Sequence, residues 1–256
     1  MLRIVDTRTG HLVEIPPVRR HLLSICVHLP ADEAGTGTTD LRTLLVGDVL
    51  ARTAELHGLQ TRTFLTAPDL PGEQARALDR AMSDLGIHPP AAGAHPPAAA
   101  PGAAADVHVH AYGTPPADMA GGVLVEVGRG SADAVVPEGT DPLAVRLLML
   151  RHAYRAPVEV TGAELEEARR MLEHWRQSVA DWAQEPSRPV PAEVLRDARA
   201  ALADDLGVPA VLDALATMAT REDVPAGAKF ETFALLDRVL GLDLAREVGH
   251  QHRAAT

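Results

Sequence analysis

The sequence predicts an α/β part followed by an α-helical bundle, and three observations lead there. Between residues 22 and 65 an apolar run, a glycine-bearing loop, a capped helix and a β-rich run follow one another. That is the order of a βαβ unit, right-handed by strong expectation. From Asp141 onward the apolar residues recur at helical spacing, with caps and breakers between the segments. Between the two regions, PPAAGAHPPAAAPGAAA (89–105) is a Pro/Ala/Gly linker that cannot bury enough to fold. The expected division is 1–88 and 106–140 as two stretches of an α/β domain, 89–105 as a flexible linker and 141–256 as the bundle.

Each element has a local reason. Leu2–Val5 and Leu12–Ile15 flank the turn-prone Thr9-Gly10 and read as a hairpin. Leu22–Val27 lacks helical period and reads as a buried parallel strand. After a polar stretch over 31–39, Thr39 or Asp40 is placed to cap a helix with Leu41, Leu44, Leu45, Val49 and Leu56 facing inward. Gly58 closes it, and Thr61–Leu65 is the next strand. Residues 73–86 form a helix with Ala75, Leu78, Met82 and Leu85 on one face and Gly86 at its end. Asp106–Tyr112 and Val123–Val127 read as two short strands.

Helices are expected at 142–153, 162–184, 191–205, 209–220 and 227–245. Pro157 forces Ala156 towards extended geometry and ends the first of them. Thr161 and Glu164 form a capping box that opens the second. Leu165, Ala168, Leu172, Trp175, Val179 and Trp182 make an apolar stripe along that helix, for Leu212, Leu215, Phe230, Phe233 and Leu236 to cover.

Composition narrows the chemistry. With 256 residues and a net charge of −11, neither half has the basic excess that attracts a phosphate backbone. A tRNA partner would need a local patch. Of 24 basic residues 23 are arginine, and the one lysine, Lys229, leaves 1–228 without a lysine-based phosphate loop. Cys26 is the only cysteine, which excludes an internal disulfide and a multi-cysteine zinc module. No apolar run reaches membrane-spanning length and the N-terminus lacks a signal-peptide core, so a cytoplasmic protein is expected.

The wording of several segments resembles the class I cysteinyl-tRNA synthetase family. Asp141-Pro142, Ala144-x-Arg146 and His152-x-Tyr154-Arg155-x-Pro157 are similar to the family's DPDALRLALLSHHYRSPLDFT. Asp204-Asp205-Leu206-Gly207-Val208-Pro209 resembles its Asp-Asp-Leu-Asn-Thr-Pro, and Leu240-Gly241-Leu242 its Leu-Gly-Leu. Residues 81–90 resemble DMAALGVLPP, and the first strand resembles LRLYDT. The resemblance covers roughly 2–88 and 141–246. It implies a reduced Rossmann-like class I catalytic domain ahead of the helices, without the family's zinc-binding insert.

The family's chemistry can be sought position by position. Aligned on Arg42 and Asp48, the His-Ile-Gly-His loop falls on Gly37, Thr38, Thr39 and Asp40. Both imidazoles are replaced, and losing each costs on the order of 2–4 kcal/mol of transition-state stabilisation. Thr38 and Thr39 still offer hydroxyls at a helix N-terminus, which favours anions. The Lys-Met-Ser-Lys-Ser loop falls on 128–133, where Arg129 is the only cation. Asp106-Val107-His108 resembles the start of Asp-Ile-His-Gly-Gly-Gly, a loop lining the ATP pocket, and Asp106, His108 and His110 alternate onto one strand face. Cys26 stands where the family's first zinc cysteine does, but the second cysteine and the His-His-Glu run are missing. A substitute set from Cys26, His28, His108 and His110 is conceivable; stoichiometric zinc is nonetheless not expected.

The resemblance implies a truncated paralogue without ordinary cysteine activation, acting as a binding, regulatory or accessory subunit and completed by a protein partner or second subunit. An alternative is an ATP-dependent, magnesium-requiring ligase similar to the cysteine ligase of mycothiol synthesis. A third is a tRNA-binding protein.

Overall fold

Strand β3 (Leu22–His28), helix α1 (Thr38–Leu56) and strand β4 (Gln60–Thr66) form the expected βαβ unit. Strands β5 (Val107–Ala111) and β6 (Val123–Val127) extend it into a parallel sheet of order β4-β3-β5-β6. The computed structural model describes residues 1–15, 21–30, 37–67, 70–91, 105–115, 121–132 and 139–249. Most of the expected linker, the polar stretch 31–36 and the end of the 128–133 loop lie outside these residues.

The sheet has two unlike faces because side chains alternate along each strand. Ile25, Val27, Val107, Val109, Val125 and Val127 lie in the large apolar core together with Leu44, Leu45 and Val49 of α1. Register pairs Cys26 with His108 and His28 with His110, so those four side chains share the opposite face. There a small cluster of Cys26, Phe64 and Ala105 forms, with Leu124 buried opposite His108.

Helix α1 is buried on nearly every side and touches β3, β4, β5 and β6 as well as helices of the second half. Arg42 and Asp48, two of its buried polar residues, are hydrogen-bonded, as an interior position requires. Thr39 and Asp40 do not cap it, contrary to expectation. Gly37 is the N-cap, with no side-chain bond, and Thr39 turns to another segment.

The hairpin β1 (Arg3–Asp6)–β2 (His11–Glu14) is antiparallel as expected, with Gly10 at φ +69° in its turn. Its turn runs along β6, where the Thr7 amide donates to Leu124 O at 2.8 Å. Helix α2 (Gly72–Asp84) buries Leu78 and Met82.

Five helices follow: α3 (Pro142–Leu150), α4 (Gly162–Trp182), α5 (Ala192–Ala203), α6 (Val208–Thr220) and α7 (Ala226–Leu240). Asp141 caps α3 by accepting from the Leu143 amide at 2.9 Å. Thr161 caps α4 by accepting from the Glu164 amide at 3.2 Å. The stripe on α4 is buried from Leu165 to Val179, and Trp175 and Trp182 meet Phe233 edge-on at 5.6 and 5.1 Å. The apolar cluster runs without a break from the sheet into these helices.

Two departures from the sequence reading stand out, besides a first bundle helix that ends at Leu150 rather than 153. Helix α7 ends at Leu240 rather than 245, because Gly241 takes the left-handed conformation at φ +62°. A Cβ there would also stand 2.8 Å from the Arg146 guanidinium. Residues Val158–Val160, expected only as an extended turn, form strand β8, paired in parallel with β7 (Gly130–Ala132).

Candidate functional site: the strand-end edge and the imidazole face

In this strand order the chain leaves β3 towards β4 on one side, while β5 and β6 lie on the other. A crevice opens at such a switch point, beyond the C-terminal strand ends, and ligands of open α/β sheets bind there. His28, Thr66, Ala111 and Val127 end their strands at this edge. Two of the sequence-predicted groups meet near it. The Thr39 hydroxyl donates to Gly130 O at 2.8 Å and accepts from the Gly130 amide at 3.0 Å. A Cβ on Gly130 would stand 2.9 Å from the Thr38 methyl, so helix start and loop are in close contact. Asp40 is buried in the first turn of α1. Arg129 is exposed, with its guanidinium 4.7 Å from the centroid of the half-exposed Tyr112 ring, a cation–π pair.

Asp106 sits elsewhere. Preceding β5, it is at the far end of the strands, where its carboxylate accepts from the Ser24 amide at 2.8 Å and its own amide donates to Ser24 O. It shares a face with His108 and His110, but this carboxylate oxygen is engaged in joining β3 to β5 rather than lining the edge.

The face itself carries an unusual concentration of soft donors. His28 Nε2 and His108 Nδ1 are 2.9 Å apart, and their rings stack with centroids 5.2 Å apart. Cys26 Sγ lies 3.4 Å from Thr66 Oγ1. Cys26, His28 and His108 each offer a ligand atom within 4.8 Å of the other two, so the structure gathers three of the four conceivable metal donors. His110 is not in that group, and its Nδ1 donates to Ala111 O at 2.8 Å. His108 Nε2 and His110 Nε2 are buried without a hydrogen-bond partner among the described residues.

Burial, with the nearby charges of Arg8 and His110, holds the His108 pKa below the ordinary imidazole range. Burial lowers that of His110 too, against the Ala111 carbonyl and the Glu126 carboxylate. Burial pushes the Cys26 thiol up, partly offset by Thr66. Both buried imidazoles are therefore neutral near pH 7, the form that ligates metals.

The residues carrying the family resemblance gather instead at a seam between the two halves. Asp48 accepts from Arg52 Nε and Arg146 Nη2, both at 2.8 Å. The fully buried Arg146 also donates to the carbonyls of Leu85, Gly86 and Leu240. Arg42 points its guanidinium at the carbonyls of Gly128, Arg129, Ala153 and Ala156, and burial lowers its pKa to about 10. The Tyr154 hydroxyl donates to Asp205 Oδ1 at 2.6 Å, and the same oxygen accepts from the Val5 amide at 2.9 Å. Periodicity gave no hint of these joints, since an arginine inside a helical pattern normally reads as a solvated face. Tyr112 also escaped the sequence reading, because a lone aromatic after a strand carries no motif.

No protein-family profile matches the chain. It is similar to the L-cysteine:1D-myo-inositol 2-amino-2-deoxy-alpha-D-glucopyranoside ligase of Xylanimonas cellulosilytica, with 38% identity over 148 residues, 56% of this chain and 34% of that ligase. The ligase of the same name from Nocardiopsis dassonvillei is 41% identical over 111 residues, 42% of this chain and 26% of that one. For the Thermomonospora curvata ligase the figures are 38% over 128 residues, 48% and 29%. The chain thus spans between about a quarter and a third of the length of the relatives it matches.

Proposed function

From the premise that this chain is a relative of the class I cysteinyl-tRNA synthetase-like cysteine ligases, we propose that it is a binding or accessory protein of that family. In this reading it does not activate cysteine by the ordinary route, and a protein partner or second subunit completes its function. One observation carries the proposal: the start of α1 is closed onto the loop after β6 by the Thr39–Gly130 pair. Stabilising a departing pyrophosphate requires preorganised donors aimed at the developing charge. Here the Thr39 hydroxyl is spent on backbone, Asp40 brings an acid to the first turn, and residues 128–131 contain no lysine. The test is an ATP–pyrophosphate exchange assay with cysteine on the full chain. No exchange above background is expected, and robust exchange by the purified chain alone overturns the proposal.

A second reading, an ATP-dependent ligase activating an amino acid with magnesium, is favoured by the names of the relatives. Arg129 over Tyr112 is then the pair that would meet the nucleotide at the edge. Calorimetric titration with ATP and magnesium separates the two: a ligase must bind ATP, whereas an accessory protein need not. A tRNA-binding role would appear as affinity that falls steeply with salt.

A further inference from the structure

The zinc that the family resemblance implies requires two cysteines, a histidine and a glutamate, and this chain has one cysteine. That donor set cannot form here. The polar face of the sheet nevertheless assembles a different one. Adjacent strands β3 and β5 put Cys26 opposite His108 and His28 two residues further on, all on one side. Their ligand atoms lie within 4.8 Å of one another. Tetrahedral zinc with one sulfur and two imidazoles separates its donors by about 3.3–3.6 Å, given bonds of about 2.3 and 2.0–2.1 Å. The donors are therefore within small side-chain rotations of that arrangement. The 2.9 Å approach of His28 Nε2 to His108 Nδ1 can hold one proton or, after opening slightly, one cation between them.

The surroundings favour a built site over a chance cluster. Cys26 and His108 are 2% and 6% exposed on regular strands, so the ladder fixes their backbone positions. His28, at the end of β3, is only half-buried and so is partly open to solvent. Among the described residues no carboxylate joins the cluster, and a thiolate with two imidazoles selects zinc-like ions over magnesium or calcium.

We propose that Cys26, His28 and His108 bind one zinc ion in a three-donor site that ties β3 to β5, with water in the fourth position. Binding breaks the His28–His108 hydrogen bond and releases the Cys26 thiol proton to solvent, so the bound form carries a thiolate and two neutral imidazoles. This site does not rest on the proposed function, since it needs neither ATP nor activity. It reverses the sequence expectation of a protein without stoichiometric zinc.

The test uses the full chain, stripped of metal and titrated with zinc, then analysed by elemental analysis and zinc X-ray absorption. Retention of about one zinc per chain after gel filtration is expected, with one sulfur near 2.3 Å and nitrogens near 2.0–2.1 Å. Cys26→Ser and His108→Gln should each weaken binding by roughly a hundredfold or more, whereas His110→Gln should leave it within about threefold. Circular dichroism shows whether each variant is folded, and the absorption spectrum of the unmodified chain needs no variant. A chain that retains no zinc, or a bound ion without sulfur in its coordination sphere, overturns the proposal.

Discussion

Two stretches of helix α1 stand in contrast. Thr39 and Asp48 are separated by nine residues, roughly 14 Å along the helix, yet they do opposite work. Around Asp48 buried charges meet: its carboxylate receives Arg52 and Arg146, and Arg146 spends its remaining donors on three carbonyls. At Thr39 a neutral hydroxyl meets the backbone of one glycine. The residues that resemble the synthetase family cluster at the first place, and the positions that the resemblance aligns with the His-Ile-Gly-His loop at the second. Resemblance in this chain is carried by the residues that hold its halves together.

The sharpest way to break the contrast is to empty the seam. Asp48→Ala leaves Arg146, fully buried, without its carboxylate. Removing one partner of a buried pair costs about 3–5 kcal/mol, and chemical denaturation should show a loss of that size. A loss under about 1 kcal/mol would put the seam on a par with a surface ion pair and end the distinction. Tyr154→Phe probes the second joint. It deletes a hydrogen bond to the Asp205 carboxylate, and bonds to charged groups contribute roughly 1.5–3 kcal/mol. The loss should vanish in an Asp205→Ala background if the two residues act together.

A third measurement uses pH. Burial tends to raise the Asp141 pKa, but the Arg176 guanidinium, the Leu143 amide and Arg246 outweigh it, and the folded value lies below the ordinary one. A depressed carboxylate contributes stability that is present above its unfolded pKa, about 3.9, and is lost as pH falls through the folded value. Stability of the unmodified chain should therefore fall more steeply below about pH 4 than that of Asp141→Asn. Parallel curves for the two proteins would remove Asp141 from the charged network.

The edge should respond least. Thr39→Val removes one neutral hydroxyl and should cost about 0.5–1.5 kcal/mol. Arg129→Ala, at an exposed position, should stay within about 0.5 kcal/mol of the parent. If the ligase reading is right, Arg129→Ala will instead weaken ATP binding with stability unchanged, a split that calorimetry and denaturation read separately.

Much of the fold was legible because its causes are local. Thr9-Gly10 turns a hairpin, Thr161 caps a helix, and the Leu165-to-Val179 stripe buries itself. The misplacements have causes far along the chain. Thr39 has the right chemistry for a cap, but the Gly130 backbone competes for its hydroxyl and wins. Helix α7 reads as continuing beyond Leu240, yet a left-handed Gly241 under the Arg146 guanidinium stops it. The site was less legible. Asp106, His108 and His110 alternate onto one face as read, but Asp106 lies at the far end and is bonded to Ser24.

By itself the sequence determined most of the elements, their order and the absence of any lysine before Lys229. Those follow from period, caps and residue identity, which need only neighbours a few positions away. The tertiary structure decided which strands lie side by side, and so which donors meet. Only the β3–β5 register puts Cys26 beside His108 across 82 positions of chain, and only the packing of α3 against α1 brings Arg146 to Asp48. Such contacts draw their energy from burial and from satisfying polar groups far apart in sequence. No local pattern encodes them, and they fix both the seam and the imidazole face.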